Sequence, residues 1–220
     1  MARNLRSWWH RWLNRLTPAL RARPRQNPWR QRPCLEALEE RVLLTTYIVN
    51  TTSDSASPGA GLVSFRQALG EVVSGDTIDF NISSGNIILV GSGGAVAAPE
   101  SLTATNVTIN GINEANNQPI ELQRATGLKA GQPAIQISGD YNIVSSLMID
   151  GFGQGITIVG QAGTTVGVGN TIGGTAAGAG NILIGNSDGL LIGAAGTVVE
   201  NNYIGTDASS DSGLGNTIGI

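Results

Sequence analysis

Asn170-Thr171-Ile172-Gly173 recurs 32 residues on as Asn202-Tyr203-Ile204-Gly205, and again as Asn216-Thr217-Ile218-Gly219. Gly155-Ile156-Thr157-Ile158 recurs 34 residues on as Gly189-Leu190-Leu191-Ile192. Between them stands a third unit of strand and turn, Asn181-Ile182-Leu183-Ile184-Gly185-Asn186. Self-similarity at such a period marks a stack of small units. A unit of this size cannot bury its own apolar face, so each must lie on its neighbour, and stacked coils make a solenoid.

Strand-like patterning extends through the chain from residue 46. Thr77-Ile78-Asp79-Phe80-Asn81-Ile82 alternates with period two, as do Val107-Thr108-Ile109, Ile135-Gln136-Ile137 and Ile156-Thr157-Ile158. These runs are short, β-branched and bounded by Gly, Asn, Ser or Asp, which describes strands separated by many corners. Helical repeats are excluded, because glycine costs about 1 kcal/mol at each helix-interior position and all 31 glycines follow residue 44. Ile, Val and Leu at alternate positions are expected to form apolar ladders along the axis. Asn and Gly are expected at the corners, where left-handed backbone is cheap for both. Asn142, Asn170, Asn181, Asn202 and Asn216 stand at or next to the residue before an Ile. They are assigned a structural role, hydrogen bonding along the stack. Thr175-Ala176-Ala177-Gly178-Ala179-Gly180 is expected to bulge out of its coil as a loop.

Residues 170–186 together with 202–207 resemble the repeat of bacterial right-handed β-helix proteins with the pectin-lyase-like fold. Residues 47–80 are similar to the segment that opens such domains. That segment has a strand (Tyr47-Ile48-Val49-Asn50-Thr51), a polar loop, Leu62-Val63-Ser64-Phe65-Arg66-Gln67-Ala68-Leu69, and then Gly75-Asp76-Thr77-Ile78-Asp79-Phe80. The resemblance implies an all-β, right-handed parallel β-helix with a short N-terminal amphipathic capping helix. Ser64 can cap that helix, and Phe65, Ala68, Leu69 and Val72 share one face at helical spacing. Residues 62–73 are therefore expected to lie across the first coil and cover its open edge. No functional role is expected for Arg66 or Glu71.

Charge divides the chain. Residues 1–44 hold ten Arg against three Glu, net +7, with all four Trp, the single Cys and the single His. The remainder holds three basic residues (Arg66, Arg124, Lys129) against thirteen acids, net −10. The expected organisation is a basic leader and linker over 1–44, an opening strand and cap over 45–80, and β-helix coils over 81–220. A sequence pI near 5.1 excludes a nucleic-acid-binding body, which needs a basic footprint. Cys34 has no partner, so no internal disulfide forms. No apolar run is long enough for a transmembrane helix.

Leu5, Trp8, Trp9, Trp12, Leu13 and Leu16, with Arg6, Arg11 and Arg15 between them, predict a short basic amphipathic helix ended by Pro18. Its two readings are a cleavable leader and a membrane-surface contact through residues 1–20. Residues 22–33 are expected to be an unstructured linker. Leu35-Glu36-Ala37-Leu38-Glu39-Glu40-Arg41 resembles the Leu-Glu-x-Leu-Glu-x-Arg segment near the N-terminus of many large bacterial surface and secreted proteins. That resemblance implies a sorting or processing element and an extracellular or cell-surface location.

No catalytic, cofactor-binding or metal-binding residue is assigned from the sequence. Polysaccharide lyases of the resembled fold use Ca²⁺ held by aspartates together with a base, and hydrolases use paired carboxylates. Here Arg124 and Lys129 are placed in a loop-like stretch away from acids, Asp140 and Asp150 at turns, and Asp207 and Asp211 beside a Ser-rich loop. The function expected is a non-catalytic surface or secreted module, structural or adhesive, whose partners are glycans or surface proteins. The alternatives are a truncated or degenerate polysaccharide-active enzyme and a peripheral membrane protein anchored by its arm. The chain ends at Gly219-Ile220 inside a repeat. Self-association through an open last coil is therefore expected, with a fragment of a longer protein as the other reading.

Overall fold

The structure, a computed structural model, describes residues 43–92, 101–160, 166–209, 211 and 213–220. They fall in one compact unit spanning 42–220. The amphipathic segment, the linker and the whole Leu-Glu-x-Leu-Glu-x-Arg segment lie outside the described residues.

Short β-branched runs punctuated by left-handed corners wind the chain into a parallel β-solenoid of about five turns, with a single short helix among the described residues. Strand β1 (Thr46–Val49) and helix α1 (Phe65–Glu71) open it. The first turn holds β2 (Thr77–Phe80), β3 (Ile87–Val90) and a bridge from Leu102 to Ile137. The second turn holds β4 (Thr108–Asn113), β5 (Gln118–Arg124) and β6 (Pro133–Ile137). The third holds β7 (Ile143–Ser145), β8 (Leu147–Asp150) and β9 (Gln154–Ile158). The fourth holds β10 (Thr171–Gly173), β11 (Ile182–Ile184) and β12 (Asp188–Ile192). The fifth holds β13 (Val198–Glu200), β14 (Tyr203–Ile204) and a bridge from Ile218 to Asp188.

Corresponding strands of successive turns pair in parallel and build three faces. Sheet A stacks β1, β2, β4, β7, β10 and β13, sheet B stacks β3, β5, β8, β11 and β14, and sheet C stacks β6, β9 and β12. Period-two alternation sends one residue type inward at each level. Sheet A contributes the inward row Ile78, Ile109, Val144 and Ile172, and sheet B the row Ile88, Leu122, Ile149 and Leu183. All eight side chains are fully buried. Each contributes about 1.5–3 kcal/mol by leaving water, which is why strands of three or four residues persist.

The corner asparagines bond in one direction. On the corner entering sheet A, Asn142 Oδ1 accepts the N–H of Val107 at 2.8 Å and Asn170 Oδ1 that of Asn142 at 2.7 Å. Asp76 does the same for Thr45 at 2.8 Å. Entering sheet B, Asn181 accepts from Leu147 at 3.0 Å and Asn202 from Asn181 at 2.9 Å. Entering sheet C, Asn186 accepts from Phe152 and Asn216 from Asn186, both at 2.9 Å. In every case the side chain serves an N–H one coil nearer the N-terminus. The Nδ2 groups of Asn181, Asn186, Asn202 and Asn216 also donate to carbonyls of the preceding coil, those of Val144, Ile149, Ile172 and Leu183. These bonds satisfy backbone groups at the corners, where the sheet ladders lapse. The sequence reading anticipated the stack but not Asn186, nor its direction.

The cap is shorter than 62–73. Ser64 is extended and its Oγ accepts the Gln67 N–H at 3.0 Å, setting the helix start. Gly70 and the β-branched pair Val72-Val73 are poor helix formers, and the helix stops at Glu71. Phe65, Ala68 and Leu69 are buried, and Phe65 meets Phe80 with ring centroids 5.6 Å apart. Asp54, from the polar loop, binds Arg66 of the helix in a buried ion pair at 2.8 Å and accepts the Gly91 N–H at 2.6 Å. One carboxylate thereby ties loop, cap and first turn together.

Candidate functional site

The outer face of sheet B carries the features that the solenoid itself does not require. Register places Ile87, Glu121, Met148, Ile182 and Tyr203 in one outward row across five strands. Gln123 and Asp150 belong to the adjacent row. Glu121 therefore sits between two apolar neighbours, Ile87 and Met148. Burial raises its carboxyl above the ordinary glutamate value, and the nearby Asp150 carboxylate raises it further.

Two placements from the sequence are corrected here. Arg124 is the last residue of β5 rather than part of a loop, and Asp150 closes β8 rather than standing at a turn. The strands thus bring Glu121 and Asp150 to one face, which the sequence reading missed because their separation of 29 residues matches no local motif. Arg124 does not complete a catalytic group with them. It follows Gln123 in the alternation, and its Nη2 donates to the Leu128 carbonyl at 2.7 Å.

Because its folded-state pKa is raised, Glu121 favours folding in its protonated form, an advantage lost as pH rises through the folded pKa. Glu121→Gln is therefore expected to match the parent near pH 4, around the ordinary glutamate pKa, and to melt higher near pH 7. Thermal melts at the two pH values check this, and equal shifts at both would contradict the assignment.

Beside the row lies a groove of about 550 Å³, lined by Pro119, Thr175, Gly178, Ile182, Asn201 and Tyr203 among others. Corner lengths explain it. Between sheets A and B the third turn spends one residue and the fifth spends two, whereas the fourth spends eight, 174–181. This insertion forms one wall and is pinned on both sides. Ser146 Oγ donates to the Gly178 carbonyl at 2.8 Å, and Asn201 Nδ2 to the Gly174 carbonyl at 2.7 Å. Gly180 permits the close approach, since a Cβ there would overlap the Asn201 carbonyl. Tyr203 is 43 % exposed, and no charged residue is among the described residues lining the groove.

No group of three or more His, Cys, Asp or Glu able to hold a metal occurs among the described residues. Among them, no helix is long and apolar enough to cross a membrane. No family model, curated protein or solved structure matches the chain.

Proposed function

We propose that this chain is a non-catalytic solenoid module of a bacterial surface or secreted protein, with pectin-lyase-like topology, that binds glycans or surface proteins on its lateral face. The observation that supports it is the pinned insertion 174–181. It adds nothing to the apolar ladders, yet two side-chain hydrogen bonds hold it against the neighbouring coils. Loops positioned by a rigid scaffold are where binding residues concentrate. The expected result is retention of the chain on immobilised polysaccharide or bacterial cell-surface protein without release of product. Steady release of unsaturated or reducing-end sugar from pectin or alginate would overturn the reading.

A second reading, polysaccharide cleavage, is favoured by one observation. Glu121 is held toward its protonated form beside Asp150 on an exposed strand face, and a carboxyl kept protonated can serve as a general acid. On that reading Glu121→Gln abolishes product release while leaving retention intact.

A further inference from the structure

We infer that the groove beneath residues 174–181 is a subsite for an uncharged glycan chain, with Tyr203 as its stacking platform. The inference rests on the surface-module reading and assigns it a place and a ligand class. Three features of the groove select the ligand.

The first is charge. Thr175, Asn201 and Asn202 supply the polar lining, and Pro119, Ile182 and Tyr203 the apolar lining. A phosphate, a uronate or a basic peptide would shed part of its hydration here and meet no counter-charge in the lining, which disfavours it. A ligand with hydroxyls and no charge loses nothing of that kind. The second is surface chemistry. Small-ligand sites are mostly apolar, with a few placed polar groups fixing orientation. A pyranose ring has the matching duality: one face of C–H bonds and a rim of hydroxyls. The exposed Tyr203 ring offers a flat apolar surface to the C–H face. The Thr175 hydroxyl can donate or accept at the rim, and Asn201, whose Nδ2 is committed to Gly174, keeps its Oδ1 as an acceptor.

The third feature is length. The lining runs from Pro119 in the second turn to Tyr203 in the fifth. Three coil steps at about 4.8 Å each make roughly 14 Å, and the groove is open rather than enclosed. A monosaccharide would leave most of that track empty, whereas a chain fills it. The track is also rigid, because the wall is tied to Ser146 and Asn201 and the floor is solenoid strand. Little ordering is then required on binding.

The test uses the full chain in affinity electrophoresis and calorimetry against mannan, xyloglucan and β-1,3-glucan as neutral probes, with polygalacturonate as the acidic one. At least one neutral polymer is expected to retard the protein and polygalacturonate is not. Tyr203→Ala should weaken binding at least tenfold, and Tyr203→Phe, which keeps the ring, should restore it to within about twofold of the parent. Circular dichroism melts of both variants separate lost binding from lost fold. Should a neutral polymer bind with Tyr203→Ala unaffected, or should only polygalacturonate bind, the groove assignment is wrong while the module reading stands. Release of sugar product from any probe removes the module reading itself.

Discussion

Arg66→Met should lower stability by about 3–5 kcal/mol, the usual cost of stranding one partner of a buried ion pair. The Arg66 and Asp54 side chains are only 5 % and 1 % exposed, so neither charge can turn to water. Two guanidinium nitrogens reach the Asp54 carboxylate, Nε at 3.2 Å and Nη2 at 2.8 Å, and Nε also donates to the Asp54 carbonyl. Without Arg66 the carboxylate keeps the Gly91 N–H, which one amide cannot make into a neutral environment. The loss should appear first at the cap: faster hydrogen exchange across α1 and β1, with the third and fourth turns unchanged. The double variant Asp54→Asn/Arg66→Met should cost clearly less than the sum of the single variants, because both charges are then gone. Urea melts of the four proteins check this, and simple additivity would show that the pair is not coupled.

Asn181→Ala should cost a comparable amount, about 2–6 kcal/mol, by a different route. The side chain closes two backbone groups of the preceding coil, the Leu147 N–H and the Val144 carbonyl. Orphaning a buried backbone group costs roughly 1–3 kcal/mol, and here two are orphaned together. Asn181 is itself fully buried, so no solvent replaces it without a cavity opening. Asn181→Asp tests both bonds, since a protonated carboxyl keeps an acceptor for Leu147 and an O–H donor for Val144, whereas an ionised one can only accept. Its loss should be small at low pH and grow as the buried carboxyl ionises. Equal stability of Asn181→Ala and the parent in urea would show that the corner bonds are incidental to the stack.

Much of this architecture was legible in the residues, for a physical reason. Alternation such as Ile135-Gln136-Ile137 over Ile156-Thr157-Ile158 has one stable reading, and the register confirms that pair. The 34-residue repeat of Gly155-Ile156 is a true coil repeat, with Ile156 lying directly on Leu190. The 32-residue repeat is not. Asn170 opens a strand of sheet A, Asn202 one of sheet B, and Asn216 the bridge on sheet C. The Asn-x-Ile-Gly unit encodes one side of a coil, because every corner makes the same demand: a carboxamide to close backbone groups, an inward aliphatic, and often a left-handed glycine such as Gly173 at φ 91°. Repetition of that unit therefore identifies a solenoid without giving its period. The groove and the Glu121–Asp150 pairing stayed hidden because both depend on register between coils. Register is set by corner lengths of four, one, eight and two residues in the second to fifth turns, which leave no periodic trace.

The direction of the asparagine bonds also bears on how the molecule is made. Each coil presents corner N–H groups that are satisfied by a carboxamide belonging to the coil after it. On a ribosome, where the N-terminus emerges first, the acceptor for each exposed donor is the next segment to arrive. The cap supplies the first surface, and each later coil closes the one before it as it docks. Growth then proceeds by addition to a single live edge, and a stalled chain leaves open only the corners and strand edges of its newest coil.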